Sequence, residues 1–145
     1  MKNWRVVLDT NVLVAASRSQ TGASFCLVQA LDADRFRLLA STPLLLEYEA
    51  VLKRPEQLAA SQLCEAEVDV FLDTLVLRAD PVHLHYLWRP QLRDPADEMV
   101  LDTALNGSAD ALVTFNVADF GAAGRFGLPV FSPAVFLQHL LKETL

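Results

Sequence analysis

Four separated stretches of the chain carry side-chain oxygens that could share a cation. Asp9 follows the apolar run Val6-Val7-Leu8, Glu47 and Glu49 lie in an apolar segment, Asp94 and Asp97 open another, and Asn116 and Asp119 follow Leu112-Val113-Thr114. An all-oxygen donor set of this kind suits Mg²⁺ or Mn²⁺ rather than zinc. Carboxylates brought together without a cation repel one another and bind protons more tightly, and a divalent ion removes that conflict. Each residue also has a plainer reading. Asp9 could cap a helix, Asp94 could cap or assist, and Asp97 could complement a helix N-terminus. Asn116 and Asp119 suit a capped turn.

The elements that must position these groups follow from hydrophobic periodicity. Val6 to Leu8 reads as a short buried strand, with helical character from Val12 to Ala16. Thr21 to Ala33 reads as a helix and Phe36 to Ala40 as a strand. Ser41-Thr42-Pro43 starts a helix to about Arg54, where Pro55 stops it. Glu65 to Leu77 is amphipathic. Val82 to Leu87 reads as a strand, placing His83 and His85 on one face; no third metal ligand accompanies them. Pro95 opens a helix ending near Asn106-Gly107, and Ala111 to Thr114 and Val130-Phe131 read as strands. Ser132-Pro133 begins a last helix to about Lys142.

Alternation of strands and helices specifies an α/β fold: three α/β/α layers around a mainly parallel sheet of about five strands, in one domain spanning residues 1–145. Such sheets bind ligands beyond the carboxyl ends of their strands, which is where Asp9, Thr114 and Asn116 would lie. Within the Pro95 helix, Val100, Leu101 and Ala104 fall at i+3, i+4 and i+7 from Asp97, so Asp97 shares the core-facing stripe. Glu98 and Asp102 fall well around the helix and read as solvated. In the Pro43 helix, Glu47 and Glu49 border the stripe of Leu44, Leu45, Tyr48, Val51 and Leu52 about equally, and periodicity does not choose between them.

Composition excludes several classes. The chain has 145 residues, 52% of them apolar, and a net charge of −6. That core fraction argues against disorder, and the acidic balance argues against simple coating of nucleic acid. It leaves open a site where cations make carboxylates locally neutral. Met1-Lys2-Asn3-Trp4-Arg5 runs straight into a strand, without a signal-peptide pattern, and no apolar stretch is long enough to span a bilayer. Cys26 and Cys64 form no CxxC pair and read as reduced thiols of a cytoplasmic protein.

Taken in order, these motifs resemble the PIN-domain nucleases, including toxins of bacterial toxin–antitoxin pairs, over essentially the whole chain. Val7-Leu8-Asp9-Thr10-Asn11-Val12-Leu13 is similar to the family's first motif, whose Asp is a metal ligand. Leu46-Glu47-Tyr48-Glu49 with Val51-Leu52-Lys53-Arg54 resembles the second and selects Glu47. Arg93-Asp94-Pro95-Ala96-Asp97-Glu98 to Ala104 resembles the third: the family's acid precedes an Ala by seven residues, which fits Asp97, and Asp94 belongs to a branch with an additional acid. Leu112-Val113-Thr114-Phe115-Asn116 resembles the fourth, although many members have Asp where Asn116 stands.

The resemblance implies Mg²⁺- or Mn²⁺-dependent hydrolysis of single-stranded RNA to products with 5′-phosphate and 3′-hydroxyl ends. Asp9, Glu47 and Asp97 would hold one ion, with Asn116 and Asp119 helping a second. Asn11 and Thr114 would orient the carboxylates. Arg18, Arg89 and Arg93 are candidates for phosphate contacts. A small antitoxin and a homodimer are the implied partners. The competing readings are a catalytically inactive PIN module that binds RNA or protein, favoured by Asn116, and an Asp-based phosphatase or phosphotransfer receiver. The phosphatase needs an acid where Asn11 stands; the receiver needs a Lys after a late strand, where Val130-Phe131-Ser132-Pro133 offers none.

Overall fold

The computed structural model describes residues 3–143; Met1 and Lys2 of the opening segment lie outside it. Five strands form one parallel sheet in the order β3-β2-β1-β4-β5. They are β1 (Arg5–Leu8), β2 (Arg37–Ser41), β3 (Ala79–Val82), β4 (Ala111–Val113) and β5 (Val130–Phe131). Helices flank the sheet to give the expected three-layer α/β/α arrangement. These are α1 (Thr10–Arg18), α2 (Ala23–Asp32), α3 (Thr42–Leu52), α4 (Pro55–Ser61), α5 (Glu65–Leu77), α6 (Pro95–Asn106) and α7 (Pro133–Lys142), and a 3₁₀ stretch runs over Val117–Phe126.

Strand β1 sits at the centre. Val6, Val7 and Leu8 have no exposed surface, as expected of a strand covered on both faces, whose sequence reads as an unbroken apolar run. From β1 the chain winds one way to β2 and β3 and the other way to β4 and β5. The crevice beyond the carboxyl ends of β1 and β4 is therefore the topological switch point, the usual ligand site in such sheets.

Local chemistry sets the helix starts. Ser41 Oγ accepts from the Leu44 amide at 3.3 Å, Asp94 Oδ1 from the Ala96 amide at 2.9 Å and Ser132 Oγ from the Val135 amide at 3.3 Å, each just before a helix with Pro in its first turn. Aromatic packing closes the α7 side of the core. Phe136 meets Trp4 and Phe36 edge-on at 5.4 and 5.5 Å and stacks on Phe131 at 6.2 Å.

Two expectations need correction. The strand expected at Val82 to Leu87 lies earlier, over Ala79–Val82, where Pro81 occupies a sheet edge that needs no donor from it. His83 and His85 thus follow the strand, both exposed, with ring centroids 6.1 Å apart. Pro55 does stop α3, but it also opens α4, as the first residue of a helix has no use for its N–H. Cys26 and Cys64 are unbridged. Among the described residues no helix is long and apolar enough to cross a membrane.

Candidate metal and nucleic-acid site

At the switch point, Thr114 joins β4 to β1. Its hydroxyl donates to Asp9 Oδ2 at 2.8 Å and accepts from the Asn116 amide at 3.0 Å and from Asn11 Nδ2 at 3.5 Å. One donor and two lone pairs are all a hydroxyl has, so Thr114 is fully used. Asn11 Oδ1 in turn accepts from the Phe115 amide at 3.4 Å. Asp9 occupies the N-cap position of α1 yet makes no side-chain cap bond; its carboxylate goes to Thr114 instead. The simple capping reading of Asp9 therefore fails.

Burial raises the proton affinity of Asp9, and the charges of Asp94 and Glu47 raise it further, against the Thr114 and Thr10 hydrogen bonds that lower it. Glu47 is thus within electrostatic reach of Asp9, whereas Glu49 pairs with Lys53 at 3.1 Å. Asp97, half-buried on the first turn of α6, is pushed up to about 6 by desolvation and then by Asp9, Asp94, Asp119 and Glu98. Asp94 is both the cap of α6 and a member of this acidic group. Asn116 is exposed, and its carbonyl accepts from the Asp119 amide at 2.9 Å, which sets the turn that carries Asp119.

A cleft of about 830 Å³ is lined by Asp94, Asp97 and Asp119 together with Gln91, Arg93 and Arg125. Asp9 and Glu47 lie outside its lining. Among the described residues no three His, Cys, Asp or Glu side chains are gathered tightly enough to enclose an ion. The donor set still fits a hydrated divalent cation. Mg²⁺ retains several waters and takes one or two carboxylates, and acids that raise one another's proton affinity are those a cation would relieve.

The three candidate arginines separate. Arg93 lines the cleft. Arg89 pairs with Asp102 at 2.8 Å. Arg18 donates through Nε to Gln57 Oε1 at 2.8 Å, tying α1 to α4 on buried Gln57. Arg125, which also lines the cleft, was not anticipated, because its 3₁₀ stretch shows no periodicity. The solvated reading of Glu98 and Asp102 is wrong: they are 4% and 0% exposed. Residues 83–94 cover that side of α6, and a helical wheel cannot register a covering loop.

A PIN domain model matches residues 5–118, so the chain belongs to the PIN domain family. Its fold is similar to VapBC2 from Rickettsia felis bound to a DNA fragment from their promoter. The TM-score is 0.61 at 15% identity, covering 88% of this chain and 98% of that one. It is also similar to FitAB bound to an IR36 DNA fragment, with TM-score 0.58 at 18% identity, covering 88% and 94%. At such identities these likenesses show the fold alone. No curated protein matches in sequence.

Proposed function

We propose that this chain, as one domain over residues 1–145, is a Mg²⁺- or Mn²⁺-dependent ribonuclease acting on single-stranded RNA and the toxin of a toxin–antitoxin pair. The observation that carries the reading is the convergence of Asp9, Asp94, Asp97 and Asp119, from separate segments, into one electrostatically coupled group at the β1/β4 switch point. Membership of the PIN domain family supports it.

Asp9, Glu47 and Asp97 would hold the ion, with Asn116 and Asp119 assisting a second. When bound, the ion supplies a water of lowered pKa and offsets charge on the phosphoryl oxygens. Thr114 fixes the orientation of Asp9 by donating to one oxygen, which favours the ionised form, and Asn11 supports Thr114. Arg93 draws the phosphate chain into the cleft. Likeness to VapBC2 and FitAB, both bound to DNA, supports the toxin reading. An antitoxin segment carrying Arg or Lys would cover the acids, and a homodimer is part of the same reading.

The test is cleavage of a single-stranded RNA with Mg²⁺ or Mn²⁺, with chelator and with Asp97→Asn. Metal-dependent cutting that vanishes in the folded variant is expected. Cutting by Asp97→Asn at the parental rate would overturn the site. Binding without cutting by the parent would favour the inactive-module reading that Asn116 suggests.

A further inference from the structure

Residues 83–94 have no regular secondary structure, yet α6 grips their backbone on three successive turns. Asn106 Oδ1 accepts from the amides of His85 and Tyr86 at 2.9 and 3.1 Å, and its Nδ2 donates to the Tyr86 carbonyl at 2.8 Å. Asp102 accepts from the Trp88 amide at 3.4 Å and from Arg89 Nε at 2.8 Å. Glu98 Oε1 accepts from the amides of Gln91 and Leu92, each at 2.7 Å. Four-residue spacing sets Glu98, Asp102 and Asn106 on one side of the helix. Burying two carboxylates is costly unless they are bonded; both Asp102 oxygens and Glu98 Oε1 are spent on this segment, while buried Glu98 Oε2 has no hydrogen-bond partner.

That segment turns Tyr86 and Leu87 outward and leaves Trp88 half-buried beside them. Tyr86 is 70% exposed and Leu87 60% exposed. The rings of Tyr86 and Trp88 lie 5.9 Å apart, and Trp88 meets Phe126 at 6.1 Å. The row leads to the acidic cleft: Gln91 Nε2 donates to the Trp88 carbonyl at 2.7 Å, and Arg125, the neighbour of Phe126, donates to Gln91 Oε1 at 3.4 Å. Gln91, Arg93 and Arg125 all line that cleft.

Exposed Tyr86 and half-buried Trp88 on a clamped backbone, met by partly exposed Phe126 and continuous with arginines in a chain of net charge −6, suit a ligand with flat apolar faces on an anionic backbone. Unpaired bases have that chemistry, and stacking on aromatic rings tolerates any sequence. A duplex keeps its bases stacked inside. We propose that Tyr86, Trp88 and Phe126 form a base-stacking subsite for single-stranded nucleic acid that leads the strand to Asp94, Asp97 and Asp119. The proposal rests on the nuclease reading and gives it the feature that selects unpaired bases.

The test compares, in chelator, the binding of a short fluorescein-labelled RNA with that of an equally long abasic phosphodiester strand, which has the phosphates but no bases. The parent should bind the RNA about 10-fold more tightly or better. Tyr86→Ala and Phe126→Ala should each weaken RNA binding by about 10-fold and leave the abasic strand unaffected, while Tyr86→Phe should bind like the parent. Trp88 fluorescence should be quenched by RNA and not by the abasic strand. Equal binding of the two strands by the parent, or parental RNA binding by the alanine variants, would overturn the subsite and leave this face to a protein partner. Cleavage without base-dependent binding would sink the subsite alone, and base-dependent binding without metal-dependent cleavage would sink the nuclease reading alone.

Discussion

The Tyr48 hydroxyl donates to the carbonyl of Leu8 across 2.5 Å in the buried core, fastening α3 to the last residue of β1. Glu47 precedes Tyr48 in sequence and Asp9 follows Leu8, so the same bond fixes where the two acids stand. Burial keeps the phenol protonated and hence a donor. Tyr48→Phe leaves the carbonyl without that donor and should cost about 1–2 kcal/mol in chemical denaturation. Unchanged stability would show that the bond contributes nothing net.

Thr114→Val keeps the buried shape but removes the hydroxyl proton offered to Asp9 Oδ2. Metal affinity or cleavage should fall about 10- to 100-fold, as for supporting residues around other metal ligands, and Thr114→Ser should restore most of it. Equal behaviour of Val and Ser would mean that Thr114 only fills space.

The acid group makes a signed pH prediction. Asp97 is pushed up to about 6 from an ordinary 3.8, and Asp9 is also raised. The folded chain therefore binds protons that the unfolded chain releases. The stability these groups contribute is full below about pH 4 and is lost as pH rises through about 6. In chelator the protein should melt higher at pH 5 than at pH 7.5, by no more than about 1 kcal/mol for half-exposed Asp97. Asp80 and Glu67 are shifted downward and act below this window. Asp97→Asn should flatten the dependence, and Mg²⁺ or Mn²⁺ should raise the melting temperature more at pH 7.5 than at pH 5. A melting temperature independent of pH over this range would contradict the coupling.

Much of this was legible in the sequence, for identifiable reasons. Helix starts at Ser41, Asp94 and Ser132 are local chemistry, readable from three or four residues. The sheet follows from short apolar runs, and Asp97 from helical spacing. What escaped was non-local. Glu98 and Asp102 are buried because residues 83–94 lie over them, and periodicity alone does not separate Glu47, within electrostatic reach of Asp9, from Glu49, which pairs with Lys53. Arg125 reaches the cleft from a 3₁₀ stretch whose sequence carries no period.

The two margins of the sheet have a consequence for self-association. At one margin Pro81 breaks the row of amides, and at the other β5 is only two residues long. Neither offers the extended ladder a foreign strand needs as a template. Self-association of this chain would therefore use helical or loop surface, and fibre-like growth by strand addition is disfavoured at both margins.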